Sequence, residues 1–126
     1  MNVLFFQLKG DLAGRIMELD GGMYSHVGLQ IDECMLLEAA PPAVRVVPIH
    51  VRAAESTRIT VMTMPRAPLI SPKSLVGKPY DWGWLNGKLA NVPKNYHCAT
   101  LIGSIFGLVG PRHPDLSISE LRGFCR

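Results

Sequence analysis

Three side chains in this sequence are of the types that nucleophilic catalysis needs. Cys98 opens the small and apolar run "CATLIGSIFG", His26 sits in the alternating stretch "YSHVGLQI", and Glu38 sits in "LLEAA", a carboxylate among apolar neighbours. A cysteine in the first turn of a helix faces unpaired backbone N–H groups and the positive end of the helix dipole. Both favour thiolate, the nucleophilic form. The same N–H groups can bind the oxyanion of a tetrahedral intermediate. Such a thiol needs a base, and the base needs a group that orients it. His97 is adjacent to Cys98, and neighbouring side chains at a helix start point in different directions. His50 and His113 lie in proline-flanked loops. His26 lies on the strand face opposite Val27, Leu29 and Ile31, which is either solvent or a cleft. Burying an unpaired carboxylate is expensive, so Glu38 must find a partner or water. The His26 ring is one such partner, and Glu38 would then hold its tautomer as the acid does in a triad. Each residue also has an ordinary explanation: Cys98 as a buried structural thiol, His26 as a surface strand residue, Glu38 as an exposed edge position.

These side chains can meet only if the elements beneath them cooperate. The run from His97 to Val109 has the length of a helix, with Gly110-Pro111 as its stop. Pro93 and Asn95 mark its start, with Asn95 as N-cap, which puts Cys98 in the first turn. Gly103 and Gly107 fall on one face of that helix and allow close packing against a sheet. Strand patterns cover 2–8, 24–31, 35–40, 43–49 and 57–64, the last two rich in β-branched residues. A short helix fits 11–20, with Asp11 as N-cap and Gly21-Gly22 as its end. A helical turn fits 73–76 and another lies within 114–123, while 77–95 reads as loop.

Parity sharpens the expectation for His26 and Glu38. If 24–31 and 35–39 pair as an antiparallel hairpin, residue numbers opposite each other sum to a constant. The two side chains share a face only if that constant is even, which requires an odd loop. The three residues Asp32-Glu33-Cys34 give this, with Ile31 opposite Met35 and Gly28 opposite Glu38. Glu38 is then a diagonal neighbour of His26. A two-residue turn would send Glu38 to the face of Val27 and Leu29.

Composition bounds the rest. With 126 residues, 48% hydrophobic and 18% charged, the chain suits one domain, 1–126, with one core. Net charge is +3 without a lysine or arginine run, which gives nucleic-acid binding no support. The longest uncharged apolar run, Cys98 to Gly110, is too short to span a bilayer. The N-terminus does not read as a signal peptide, so the expected location is cytoplasmic. Three cysteines without a signal suggest reduced thiols rather than a disulfide framework.

Taken in order, "YSHVGLQIDECMLLEAAPPAVRVVPI", "GKPYDWGW" and "YHCATLIGSIFG" resemble the circularly permuted NlpC-type cysteine peptidases, in which a histidine strand precedes the cysteine helix. The Ser-His-Val-Gly strand matches Ser25 to Gly28, the next strand matches Leu37 to Ala39, a Tyr-Asp-Trp segment matches Tyr80 to Trp82, and the tyrosine-then-cysteine helix start matches Tyr96 and Cys98. The opening "LKGDLAGRIMELDGGM" resembles the family's Gly-Asp strand and short helix, so the likeness covers nearly the whole chain. Ala99-Thr100 stands where many members have Ser-Glu, and His97 interrupts the direct tyrosine–cysteine pair of some members. The resemblance implies an α+β, papain-like fold: a small antiparallel β-sheet or barrel packed against a helix carrying the cysteine at its N-terminus. It implies Cys98 as nucleophile, His26 as base, Glu38 as orienter, and Tyr24, Tyr96 and Trp82 as substrate-binding residues.

The implied activity is hydrolysis of amide bonds, with peptide or peptidoglycan stem peptides as substrate and no cofactor. A cell-wall target would require export by phage lysis or a dedicated secretion system. An acyltransferase or thioesterase of the same fold is the nearest alternative, and a non-catalytic binding or assembly module the next. A metal site of His26, His97 and Cys98 has no C-x-x-C or H-x-x-x-H spacing behind it, so no metal is expected.

Overall fold

The computed structural model describes residues 1–80, 97–109 and 116–126. Its centre is a five-stranded antiparallel sheet in the order β4-β3-β2-β1-β5. The strands are β1 (Asn2–Leu8), β2 (His26–Gln30), β3 (Met35–Ala40), β4 (Ala43–Pro48) and β5 (Ser56–Thr63). β1 lies between β2 and β5 and is buried on both sides, which explains its unbroken apolar run. Alternation sends Val3 and Phe5 to one face and Leu4 and Phe6 to the other.

The first face carries the main core. Val3, Phe5, Val27, Leu29 and Leu37 pack there with Leu101, Ile102 and Ile105 of the helix α3 (Cys98–Ile105), which lies on β2 and β3. Each fully buried leucine or isoleucine contributes about 2 kcal/mol. A last helix, α4 (Ile118–Gly123), packs against α3 and buries Leu121. Its start is capped in both directions: Ser117 Oγ accepts from the Glu120 N–H at 3.0 Å, and Glu120 Oε1 accepts from the Ser117 N–H at 3.2 Å. The second face holds Leu4, Phe6 and Leu36 with Leu8, Val47 and Ile49. Across it runs α2 (Ile49–Ala54), which touches β1, β4 and β5. The first helix, α1 (Asp11–Asp20), links β1 to β2 and ends at Gly21.

Several local expectations are corrected. Asp11 is the first helical residue, and Gly10 holds the N-cap position. β2 begins at His26, not Tyr24. The 43–49 strand stops at Pro48, and α2 follows, a helix of six residues in which no amphipathic period could register. The cysteine helix ends at Ile105. Gly107 turns the chain with φ 71°, a left-handed conformation that a side chain resists, so it terminates the helix rather than packing it on the sheet. Gly103 makes its close approach to Leu116, not to a strand. The proposed stop at Gly110-Pro111, and Asn95, lie outside the described residues.

Candidate active site

The β2–β3 hairpin decides whether His26 and Glu38 can meet. Leu29 pairs with Leu37 and Gln30 with Leu36, and the Ile31 N–H donates to the Met35 carbonyl at 3.0 Å. The loop is therefore Asp32-Glu33-Cys34. Asp32 builds it: its Oδ1 accepts from the N–H groups of Cys34 and Met35, both at 2.8 Å, in an Asx turn. This is the even register that parity requires. It places His26 and Glu38 on the second face, one diagonal step apart.

Opposite Glu38 on that face is Gly28. A β-carbon there would fall 2.6 Å from Leu36 Cγ, so the leucine occupies the room that a side chain would take. His26 lies beside Phe6, with ring centroids 6.0 Å apart, and is 6% exposed. His26 Nε2 is 2.8 Å from Glu38 Oε1.

Glu38 is 0% exposed, and its charge is met from three sides. Beyond His26, Arg45 Nε donates to Oε2 at 3.0 Å, Arg52 Nε donates to Oε1 at 2.7 Å, and Arg52 Nη2 donates to Oε2 at 2.5 Å. Arg45 arrives by strand pairing, directly across from Glu38 on β4. Arg52 arrives from α2. Burial alone would raise the Glu38 pKa, but hydrogen bonds from Arg52 and His26 and their positive charges hold it well below the usual carboxylate range. Glu38 is thus a permanent anion and acceptor, so His26 presents Nε2–H to it and has Nδ1 left for a second partner.

The His26 ring has a second hydrogen-bond partner, Cys98. It is the first residue of α3, where backbone N–H groups are unpaired by the helix, and His97 holds the N-cap. Thr100 closes this turn, its Oγ1 accepting from the His97 N–H at 3.0 Å and donating to the His97 carbonyl at 3.2 Å. His26 is the first residue of its strand, at the end of the sheet, where the thiol of a helix on the other face can reach it. Burial pushes the Cys98 thiol up, but hydrogen bonds to His26 and His97 and their charges outweigh it and bring the pKa down to about 6. Burial likewise disfavours the His26 imidazolium, yet hydrogen bonds to Cys98 and Glu38 raise its pKa to about 9. Between these values the stable form is a thiolate–imidazolium pair.

A cleft of about 160 Å³ opens onto Cys98 and His26. Leu8, Leu12, Ile16, Ala40 and Tyr80 give it largely apolar walls. Among the expected substrate-binding residues, Tyr24 lies elsewhere. It is buried against Phe5 at a centroid distance of 5.7 Å, and its hydroxyl meets Thr60 Oγ1 at 2.5 Å, so both its ring and its polar end are used in packing. Trp82 and Tyr96 lie outside the described residues.

Sequence reasoning missed Arg45, Arg52 and the capping role of His97. Arg45 had a signal: a two-residue turn at Pro41-Pro42 pairs Ala40 with Ala43, and counting back sets Glu38 against Arg45. Arg52 had none beyond the general demand that a buried carboxylate be paired.

No protein-family model matches the chain. No curated protein matches it either. Among solved structures, its fold is similar to that of metalloprotein yiiX from Escherichia coli O157:H7, described as DUF1105, with a TM-score of 0.61 at 16% identity. The match covers 84% of this chain and 65% of that one, so this chain spans about two thirds of that protein's length. At this identity the likeness concerns the fold alone. It supports a small α+β arrangement around an antiparallel sheet.

Proposed function

We propose that this protein is a cysteine hydrolase of the papain-like, permuted NlpC type. The observation that carries the reading is the continuous chain from the Cys98 thiol through the His26 ring to Glu38 Oε1. In the reaction, the Cys98 thiolate attacks a carbonyl carbon and forms a C–S bond. The oxyanion so made is held by the Cys98 N–H at the helix start. The His26 imidazolium gives its proton to the leaving nitrogen as the C–N bond breaks. His26 then takes a proton from water, whose oxygen attacks the thioester, and Cys98 leaves as thiolate. The proposed substrates are amides, peptidoglycan stem peptides among them.

One observation favours a second reading. The described walls of the cleft are mostly aliphatic, and the guanidinium of Arg52, which also lines it, is already engaged by Glu38 and Glu55, at 2.8 Å to the latter. An uncharged acyl chain suits such a lining better than a charged peptide does. A thioesterase or acyltransferase would use the same three residues.

Metal chemistry is not part of the proposal. The related fold belongs to a protein described as a metalloprotein, but here both Glu38 oxygens are taken by arginine donors. Among the described residues there is no group of three His, Cys, Asp or Glu side chains placed to hold an ion. Nor is there among them a helix long and apolar enough to cross a membrane.

The test is a panel of electrophilic peptides, muropeptides and acyl esters, read by mass at Cys98 with Cys98→Ala as control. Preference for peptides or muropeptides supports the amidase, preference for acyl esters supports the second reading, and no labelling at Cys98 leaves a binding module.

A further inference from the structure

We propose that Arg52 is the positioning residue of this site, gripping both oxygens of Glu38 so that Oε1 is aimed at the His26 ring. The inference rests on the reading of Cys98 and His26 as a reactive pair.

Two arginines touch Glu38, and they are not equivalent. The Arg45 side chain is 43% exposed and makes one bond, through Nε to Oε2. The Arg52 side chain is 11% exposed and uses the planar fork, Nε to Oε1 and Nη2 to Oε2, which fixes the plane of the carboxylate as well as its place. The fork is itself anchored. Arg52 Nη1 donates to Glu55 Oε2 at 2.8 Å, and the Arg52 carbonyl accepts from Ser56 Oγ at 2.7 Å. Oε1 accepts from Arg52 Nε at 2.7 Å and from His26 Nε2 at 2.8 Å, so the atom that orients the ring is the atom Arg52 holds. With Arg52 gone, the remaining arginine would draw Glu38 toward the solvent edge, away from a ring held beside Phe6.

The charged and titratable groups on and around this line are His26 on β2, Glu38 on β3, Arg45 on β4, Arg52 on α2 with Glu55 at its C-cap, and Cys98 with His97 at the start of α3. A purely electrostatic role for Arg52 predicts the opposite change from a positioning role at one of these groups. Removing a cation raises the His26 pKa by charge alone, whereas losing the oriented carboxylate lowers it. Lysine keeps the charge and loses the fork.

The experiment compares the full chain with Arg52→Gln, Arg52→Lys and Glu55→Gln. Iodoacetamide labelling at Cys98 is followed across pH, and the His26 ring titration is followed by NMR. The wild type first decides the underlying reading: a Cys98 limb at the ordinary thiol value would remove the reactive pair itself, whatever the variants do. Given a depressed limb, Arg52→Gln is expected to raise the Cys98 limb by about one unit of pKa, which slows labelling about tenfold at pH 5 and about twofold at pH 7. It is also expected to move the His26 titration downward. Arg52→Lys is expected to recover less than half of that loss, and Glu55→Gln to shift both limbs in the same directions by less. A His26 titration that moves upward in Arg52→Gln, or full recovery in Arg52→Lys, overturns the proposal in favour of charge alone. Unchanged limbs overturn it outright. If Arg52→Gln does not fold, Arg52→Lys decides: wild-type limbs in that variant overturn the proposal, and the stated shifts support it.

Discussion

Glu38 Oε1 lies 2.8 Å from His26 Nε2 because the loop closed by Ile31 and Met35 holds three residues and not two. One residue fewer would turn Glu38 to the opposite face, among the leucines under α3. The contact is thus a consequence of counting, and Asp32 enforces the count by accepting two backbone N–H groups.

Thiol reactivity should be concentrated at Cys98. Cys34 is exposed in the hairpin loop, and burial raises the pKa of the Cys125 thiol. Iodoacetamide at pH 7 is expected to modify Cys98 about tenfold faster than either, mapped by mass after digestion. Equal rates at the three sites would contradict the ion pair.

The pH dependence of turnover in the proposed reaction follows from the same pair. kcat/KM should rise as Cys98 loses its proton through about 6 and fall as His26 loses its own through about 9. Stability carries linked signs. The His26 pKa is raised, so its contribution is full below 6.5 and fades as pH climbs through about 9. The Cys98 pKa is lowered, so its contribution is full above 9.0 and fades as pH falls through about 6. Urea unfolding should show a higher midpoint at pH 7.5 than at pH 5.

Glu38→Gln keeps the shape and removes the charge. It takes the main counter-charge from a largely buried guanidinium, leaving it Glu55, and is expected to cost about 3 kcal/mol, measured by denaturant unfolding. The His26 titration should fall from about 9 in the same variant. A variant as stable as the wild type would mean that Arg52 finds water instead.

Gly28→Ala tests the packing beneath the pair. The new methyl would meet Leu36, which is fully buried and would have to shift. A loss of about 1–3 kcal/mol is expected, with His26 displaced from Glu38 as the strands part. A neutral substitution, with the His26 titration unmoved, would show that Leu36 can repack.

What was legible in the sequence had a period or a parity. β1 and β3 alternate or run apolar over enough residues to reveal themselves, and the hairpin register followed from requiring His26 and Glu38 to share a face. α2 did not, because six residues after a proline give no helical repeat, and Arg52 was hidden with it. The start of α3 was set two residues late, at His97 rather than Asn95, because Thr100 supplies the reciprocal bonds that close the first turn. Gly107 was read by spacing as a packing glycine, while its left-handed backbone makes it a stop.

The partners of Glu38 also differ in how far the chain must travel to bring them together. His26 is 12 residues before it and Arg52 is 14 after it, so both close on Glu38 through short loops of low entropic cost. Cys98 comes from the far end of the chain and joins only when α3 docks on the sheet. A chain still being made, or one that has lost α3 to local opening, therefore carries three ordinary thiols. In the proposed site the thiol is armed only while α3 is docked, so reactivity at Cys98 would report the finished fold.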